Sequence, residues 1–165
     1  VISVGYYDIA QICLNGHVTN ESYSKNPQFR QNYCKKCGAK TITKCPNCEN
    51  DIRGEYHVDG IVCLSTQTLE APSFCIECGQ PYPWTNEKVK AAKELALELD
   101  SLTDEEKETL QNSIEYLVSD NPKTQLEATK FKKIMLKVGS ETYGIFKDIL
   151  VDVLSSTAKK VIYGE

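Results

Sequence analysis

The chain has 165 residues, a formal net charge of -4, eight cysteines and two histidines, and its apolar content of 41% excludes a disordered chain. No run approaches the ~20 apolar residues that a membrane helix requires, and no charged segment followed by an apolar stretch opens the chain as a secretory signal would. The expectation is therefore a cytoplasmic protein without a membrane span, in which Cys-x-x-Cys pairs bind metal rather than form disulfides.

All eight cysteines and both histidines lie between Cys13 and Cys78, whereas the stretch from Asn86 to Glu165 has neither residue type and is rich in Leu, Ile, Val, Glu and Lys. This contrast predicts two domains, a zinc module over 1–84 and a helical one over 85–165, hence an α+β chain. The first candidate half-site is Cys13-Leu14-Asn15-Gly16-His17, where an imidazole arrives one residue later than a second thiolate would. Asn-Gly supplies the positive-φ turn such a loop needs. Cys34-Lys35-Lys36-Cys37, Cys45-Pro46-Asn47-Cys48 and Cys75-Ile76-Glu77-Cys78 are complete Cys-x-x-Cys turns, each offering two thiolates from one tight bend. Gly38 and Gly79 follow two of them, where the backbone must turn so that its N–H groups point at sulfur.

Four half-sites make two tetrahedral zinc sites, and two pairings satisfy the spacing. Sequential pairing sets Cys13, His17, Cys34 and Cys37 on one zinc and Cys45, Cys48, Cys75 and Cys78 on the other, giving two tandem zinc ribbons of small β-hairpins. A cross-brace would join first with third and second with fourth. Sequential pairing is preferred, because each pair then brackets a hairpin that closes its own site. Seven ligating thiolates and two divalent ions would add -3 to the formal charge and bring it to -7.

Between the halves of the second site, Asp51 to Val58 and Gly60 to Leu64 read as the strands of a hairpin turning at Asp59-Gly60. Such short strands bury little, so zinc must supply much of the folding free energy of this module. Cys63 and His57 remain outside both sites. One reading makes Cys63 a nucleophile assisted by His57. The preferred one makes Cys63 a small buried hydrophobe and His57 a strand residue pairing with a neighbour, since no oxyanion-hole motif or orienting third residue accompanies them.

The stretch Gly5-Tyr6-Tyr7-Asp8-Ile9-Ala10-Gln11-Ile12-Cys13-Leu14-Asn15-Gly16-His17, the turn Phe74-Cys75-Ile76-Glu77-Cys78-Gly79 and the following Pro81-Tyr82-Pro83-Trp84-Thr85 together resemble an uncharacterised bacterial family of double zinc ribbon proteins, a domain of unknown function with a helical region after the ribbons. The resemblance implies architecture and zinc ligation at the matching residues. It brings no activity with it.

After Trp84 the apolar spacing changes to a helical period, predicting an all-α bundle of about four helices. Val89, Ala92, Ala96 and Leu99 mark the first, ending near Ser101. Thr103 and Glu106 form a capping box for a second, which carries Leu110, Ile114 and Leu117 until Asn121-Pro122 breaks it. A third from Thr124 shows Ala128, Phe131, Met135 and Val138. The fourth begins after Gly139-Ser140 with Glu141 in its first turn, carries Lys159 and Lys160 in its last, and is closed by Gly164. Its apolar face is wide, with Tyr143, Phe146, Ile149, Leu150, Val153, Leu154 and Val161. That width suits either a central helix or a homo-oligomer contact through residues 140–162. On the third helix Lys130, Lys133 and Lys137 form a stripe that reads as a solvated face or as an anionic contact.

Three function classes follow. The chain has no P-loop, no G-x-S-x-G, no H-E-x-x-H and no dinucleotide-binding glycine pattern, and closed zinc sites leave no position for substrate. An enzyme is therefore not expected; one built on carboxylates alone or on Cys63 and His57 is the weakest reading. From Ser22 to Cys48 run six basic residues, Lys25, Arg30, Lys35, Lys36, Lys40 and Lys44, without an acidic one and interleaved with Tyr23, Phe29 and Tyr33. That pattern makes nucleic-acid binding the alternative. The preferred reading is a non-catalytic adaptor or regulator with two structural zinc ions and a protein partner, since ribbons present rigid loops and helices add docking surface.

Overall fold

The computed structural model describes residues 4–62, 64 and 67–165. The chain divides into two compact units, Val1–Trp84 and Thr85–Glu165, termed here the ribbon unit and the helical unit.

Among its described residues the ribbon unit holds five short strands: β1 (Tyr6–Ile9), β2 (Gln11–Cys13), β3 (Val18–Asn20), β4 (Thr41–Ile42) and β5 (Arg53–His57). β2 is the middle strand of a three-stranded antiparallel sheet in the order β3-β2-β4, with Ile12 opposite both Val18 and Ile42. This register buries Ile12 completely and hangs the turn from Cys13 to His17 on the β2–β3 hairpin. Gln11 locks the sheet to the following loop: its Nε2 donates to the Gln31 carbonyl at 2.7 Å and to Thr41 Oγ1 at 3.0 Å, while its Oε1 accepts from the Gln31 N–H at 3.1 Å. A buried amide satisfied in this way specifies one loop position, because any other would leave polar atoms unpaired. Asp8 performs the same task for the loop after β3. Burial alone would raise its carboxyl, but N–H donation from Ile9, Ser24 and Lys25 outweighs burial and holds it below the usual carboxylate range.

β1 and β5 form a separate two-stranded antiparallel sheet, with Tyr6 opposite His57 and Tyr7 opposite Tyr56. This corrects the expected hairpin of 51–58 with 60–64. β5 takes a partner more than forty residues earlier in the chain, and its Glu55 N–H donates to the Glu21 carbonyl at 2.8 Å. Gly60 at φ +80° and the Ile61 N–H to Val58 carbonyl bond close a tight turn, after which Ile61, Val62 and Leu64 are exposed. Both readings of Cys63 lie outside the described residues. Gly54 is required here: a Cβ at that position would stand 2.3 Å from the Glu21 carbonyl oxygen, too close for any side chain.

The helical unit contains five helices rather than about four, and no helix among the described residues is long and apolar enough to cross a membrane. α1 (Pro83–Leu97) starts on a proline, whose fixed φ suits the first turn, and buries Ala92 and Ala96. α2 (Asp104–Tyr116) opens with the complete capping box: Thr103 Oγ1 accepts from the Glu106 N–H at 3.2 Å, and the Glu106 carboxylate accepts from the Thr103 N–H at 2.9 Å. Leu110, Ile114 and Leu117 are fully buried, as their spacing on one face dictates. α3 (Thr124–Val138) packs against α2, α4 (Ser140–Leu150) and α5 (Ser156–Tyr163), burying Ala128, Phe131 and Met135. Phe131 meets Phe146 of α4 edge to face, with ring centroids 5.8 Å apart. Each such fully buried side chain contributes about 1.5–3 kcal/mol over leaving it in water.

The segment predicted as one fourth helix stops at Leu150, and a separate helix is capped at Ser155. Its hydroxyl accepts from the Ala158 N–H at 3.2 Å and its own N–H donates to the Leu117 carbonyl at 2.8 Å, so a new helix is capped where the old one would have continued. The bend lets Phe146, Leu150, Val153, Leu154, Ala158 and Ile162 all enter the core. The wide apolar face is thus two narrower faces. Gly164 in the left-handed region then closes α5, its N–H donating to the Lys160 carbonyl.

Candidate metal centres

Three of the half-sites share one backbone design. In each, the N–H of the first cysteine donates to the carbonyl five residues on: Cys34 to Ala39, Cys45 to Asn50 and Cys75 to Gln80, all at 2.8–2.9 Å. The carbonyl of that cysteine accepts the N–H four residues on, from Gly38, Glu49 and Gly79. Isolated bridges Tyr33↔Lys40, Lys44↔Asp51 and Phe74↔Pro81 clamp the ends of each loop. Reversal within so few residues requires a left-handed residue after the second cysteine, and the φ values there are +72°, +62° and +72°. Gly38 and Gly79 adopt it freely, whereas Glu49 has a Cβ and is strained. The remaining half-site differs: Cys13 donates to the His17 carbonyl, Gly16 at φ +88° makes the turn, and the His17 N–H points at Cys13 Sγ from 3.3 Å.

Cys13, His17, Cys34 and Cys37 come together in one group, and Cys45, Cys48, Cys75 and Cys78 in the other, with all ligand atoms of a group within 4.8 Å of one another. The grouping is sequential, as tandem ribbons require. Within the first, Cys13 Sγ lies 3.7 Å from Cys37 Sγ and 3.4 Å from His17 Nδ1, and Cys34 Sγ lies 3.6 Å from the same nitrogen. In the second, the Cys45–Cys78 and Cys48–Cys75 sulfurs are 3.8 and 3.7 Å apart. A tetrahedral ion with bonds of about 2.3 Å to sulfur and about 2.05 Å to nitrogen requires ligand separations of about 3.8 Å between sulfurs and about 3.6 Å from sulfur to nitrogen. Both sets match, and neither has sulfurs near the ~2.05 Å of a disulfide. Each is therefore a complete four-ligand set able to hold a metal ion.

The polar surroundings of the two sites correspond. Cys37, the exposed member of the first, is lowered to about 6 by the Ala39 N–H and then by the Asn15 side chain. Cys78 is lowered by the same pair of causes, the Gln80 N–H and the Asn47 side chain. Asn15 and Asn47 each stand two residues after the first cysteine of the facing half-site, a repetition visible in the sequence once the pairing is known. Burial pushes Cys45 up to about 11, a cost that a cation stabilising its thiolate would offset. Asn50 Nδ2 also points at Cys48 Sγ from 3.3 Å.

A buried aromatic pair runs between the two centres. Tyr82 and Trp84 stack with centroids 4.6 Å apart and an interplanar angle of 15°. Trp84 packs beneath Gly16 of the first site, where an added Cβ would sit 3.1 Å from its ring, and its Nε1 donates to the Pro72 carbonyl at 2.9 Å. Tyr82 lies against Cys75 of the second; burial first, and then its hydrogen bond to that sulfur, hold its phenol well above the ordinary value. Spacing alone does not reveal this pair.

His57 lies on β5 opposite Tyr6, its Nε2 2.9 Å from Ser22 Oγ and 3.7 Å from Glu55 Oε2. Ser22 is fully buried and donates its one hydroxyl hydrogen to Glu55 at 2.9 Å, so toward His57 it accepts. That polarity is the reverse of a serine activated by a histidine base.

The family model described as "Uncharacterized protein conserved in bacteria (DUF2321)" matches residues 6–162. No curated protein and no solved structure matches the chain. With nearly its whole length matched, the chain belongs to that bacterial family.

Proposed function

We propose that this family member is a non-catalytic zinc-binding adaptor or regulator, with one structural zinc held by Cys13, His17, Cys34 and Cys37 and a second by Cys45, Cys48, Cys75 and Cys78. The observation that carries this reading is the completeness of both ligand sets. Four protein ligands at tetrahedral separations leave no coordination position for water or substrate, which is the mark of structural rather than catalytic zinc. Zinc is favoured by the three-thiolate, one-imidazole and four-thiolate donor sets, which suit that ion. No catalytic residue is assigned, in keeping with the Ser22 hydroxyl engaged by Glu55.

An adaptor works by offering a rigid surface to a protein partner. Much of the apolar side of residues 140–162 is consumed in the core of the helical unit, which favours a different protein as the partner over a second copy bound through that segment. Metal analysis and mass spectrometry of the protein purified from its native host test the proposal. Two zinc ions per chain and one specific protein partner, lost on Cys75→Ser or on removal of residues 86–165, would support it. Fewer than two zinc ions, or repeated recovery of the chain alone, would count against it.

A second reading, nucleic-acid binding by the ribbon unit, is favoured by one observation. Phe29 and Tyr33 are exposed in the stretch from Ser22 to Cys48 that carries six cations and no acid. It predicts salt-sensitive binding that Lys35→Glu with Lys36→Glu weakens.

A further inference from the structure

The ribbon unit carries a groove of about 550 Å3 whose walls include Tyr23, Asn32, Tyr33, Lys40, Lys44 and Glu49. We propose that this groove binds single-stranded nucleic acid, with a base stacked on the Tyr33 ring and the adjacent backbone phosphates on Lys40 and Lys44. The inference rests on the nucleic-acid reading of this unit and sharpens it to a place and a strandedness.

Three features converge on that ligand. The bridge Tyr33↔Lys40 makes these two residues direct antiparallel partners, so their side chains stand next to each other on one side of the ladder. A flat ring beside an ammonium group is the pairing that a nucleotide needs, one surface for its base and one for its phosphate. Tyr33 is 65% exposed and, among the described residues, has no ring or cation stacked on it, whereas the neighbouring Tyr23 is already covered by Arg30 at 4.1 Å. Its face is therefore open to a base. Among the described residues the Lys44 ammonium pairs with Asp51, at 3.2 Å with both side chains largely exposed, a pair worth little in water and readily exchanged for phosphate.

The platform is also fixed in place. Tyr33 directly precedes ligand Cys34 and Lys44 directly precedes ligand Cys45, and each is held by a backbone bridge that clamps the end of its turn. Binding then orders few protein groups, which lowers its entropic cost. Strandedness follows from stacking, because a base in a duplex has both faces covered and cannot lie on Tyr33. An acidic protein would use the lysines and leave the ring idle.

Fluorescence anisotropy of the full chain loaded with zinc tests this, using labelled dT12 and rU12 in 50 mM and 200 mM salt, with labelled polyglutamate as the acidic-protein probe. The expected result is oligonucleotide binding that weakens about sevenfold over that salt range, as release of counterions from two phosphates requires. Tyr33→Ala should weaken it at least fivefold and Lys40→Glu should weaken it and flatten the salt dependence, with two zinc ions per chain retained in both. Lys130→Glu with Lys133→Glu in the helical unit should change nothing. Binding that ignores Tyr33→Ala and Lys40→Glu but is lost in Lys35→Glu with Lys36→Glu overturns the groove and keeps the broader reading. No oligonucleotide binding at 50 mM salt overturns both, and polyglutamate binding in its place points to an acidic protein. If Tyr33→Ala loses zinc, Tyr33→Phe decides, since it keeps the stacking face and should bind like the parent; a large loss there overturns the proposal.

Discussion

The two units reach a defined fold by different physics. The ribbon unit has strands of two to five residues, and beyond its cysteines its buried apolar side chains are few, chiefly Ala10, Ile12, Ile52, Tyr82 and Trp84. The helical unit has no metal-ligating cluster among its described residues and buries Leu110, Ile114, Leu117, Phe131, Met135, Phe146, Leu150 and Ile162. One is organised around two clusters of metal-ligating side chains and hydrogen-bonded turns, the other around apolar area removed from water. The difference teaches where each should be vulnerable.

Metal removal should separate the units most sharply. A strong chelator, or Cys75→Ser, should unfold at least the second ribbon, since structural zinc in small domains supplies on the order of 10 kcal/mol or more. Far-ultraviolet circular dichroism should retain the helical signal while Trp84 fluorescence shifts toward that of exposed indole; simultaneous loss of helix would break the comparison. Phe131→Ala is the reciprocal experiment. It should destabilise the helical unit by about 3–5 kcal/mol through the cavity beside Phe146, with zinc content unchanged at two per chain. Gly54→Ala should cost the ribbon unit about 1–3 kcal/mol, because the Glu21 carbonyl that its Cβ meets is backbone and cannot swing aside; thermal release of zinc at a lower temperature would report it.

Smaller effects sharpen the picture. Thr103→Ala should lower the helical unit's stability by about 1 kcal/mol in denaturant titrations, with the ribbon transition unmoved. Its capping partner adds a pH signature. Glu106 is held below its ordinary value first by Lys137 and then by the Thr103 N–H, so its contribution is complete above the unfolded carboxyl value of about 4.3 and is lost as pH falls through the lower folded value. The stabilities of the parent and Glu106→Gln should therefore differ near neutrality and converge in acid. Glu49→Gly has the smallest expected effect and the opposite sign. Relieving a side chain at φ +62° should stabilise the second ribbon by up to about 1 kcal/mol, visible as a slightly higher temperature of zinc release.

What the sequence determined by itself is local. Thiolates three residues apart, glycines after two of the turns, and a threonine three residues before a glutamate are interactions closed within five residues, and those spacings leave few other geometries. The helical stripe Leu110, Ile114 and Leu117 belongs to the same class, since one helix face dictates it. Only the tertiary structure decided which half-sites meet, because that depends on where chains twenty or thirty residues apart return. It also decided that β5 pairs with β1, where the Glu21 carbonyl and the close approach at Gly54 favour that partner over a local hairpin. The capped start of α5 at Ser155 depends on a carbonyl at Leu117, far upstream, accepting its N–H. The adjacency of Tyr33 and Lys40 was hidden for the same reason: seven residues apart in the chain, they become partners only when the turn around Cys34 and Cys37 closes.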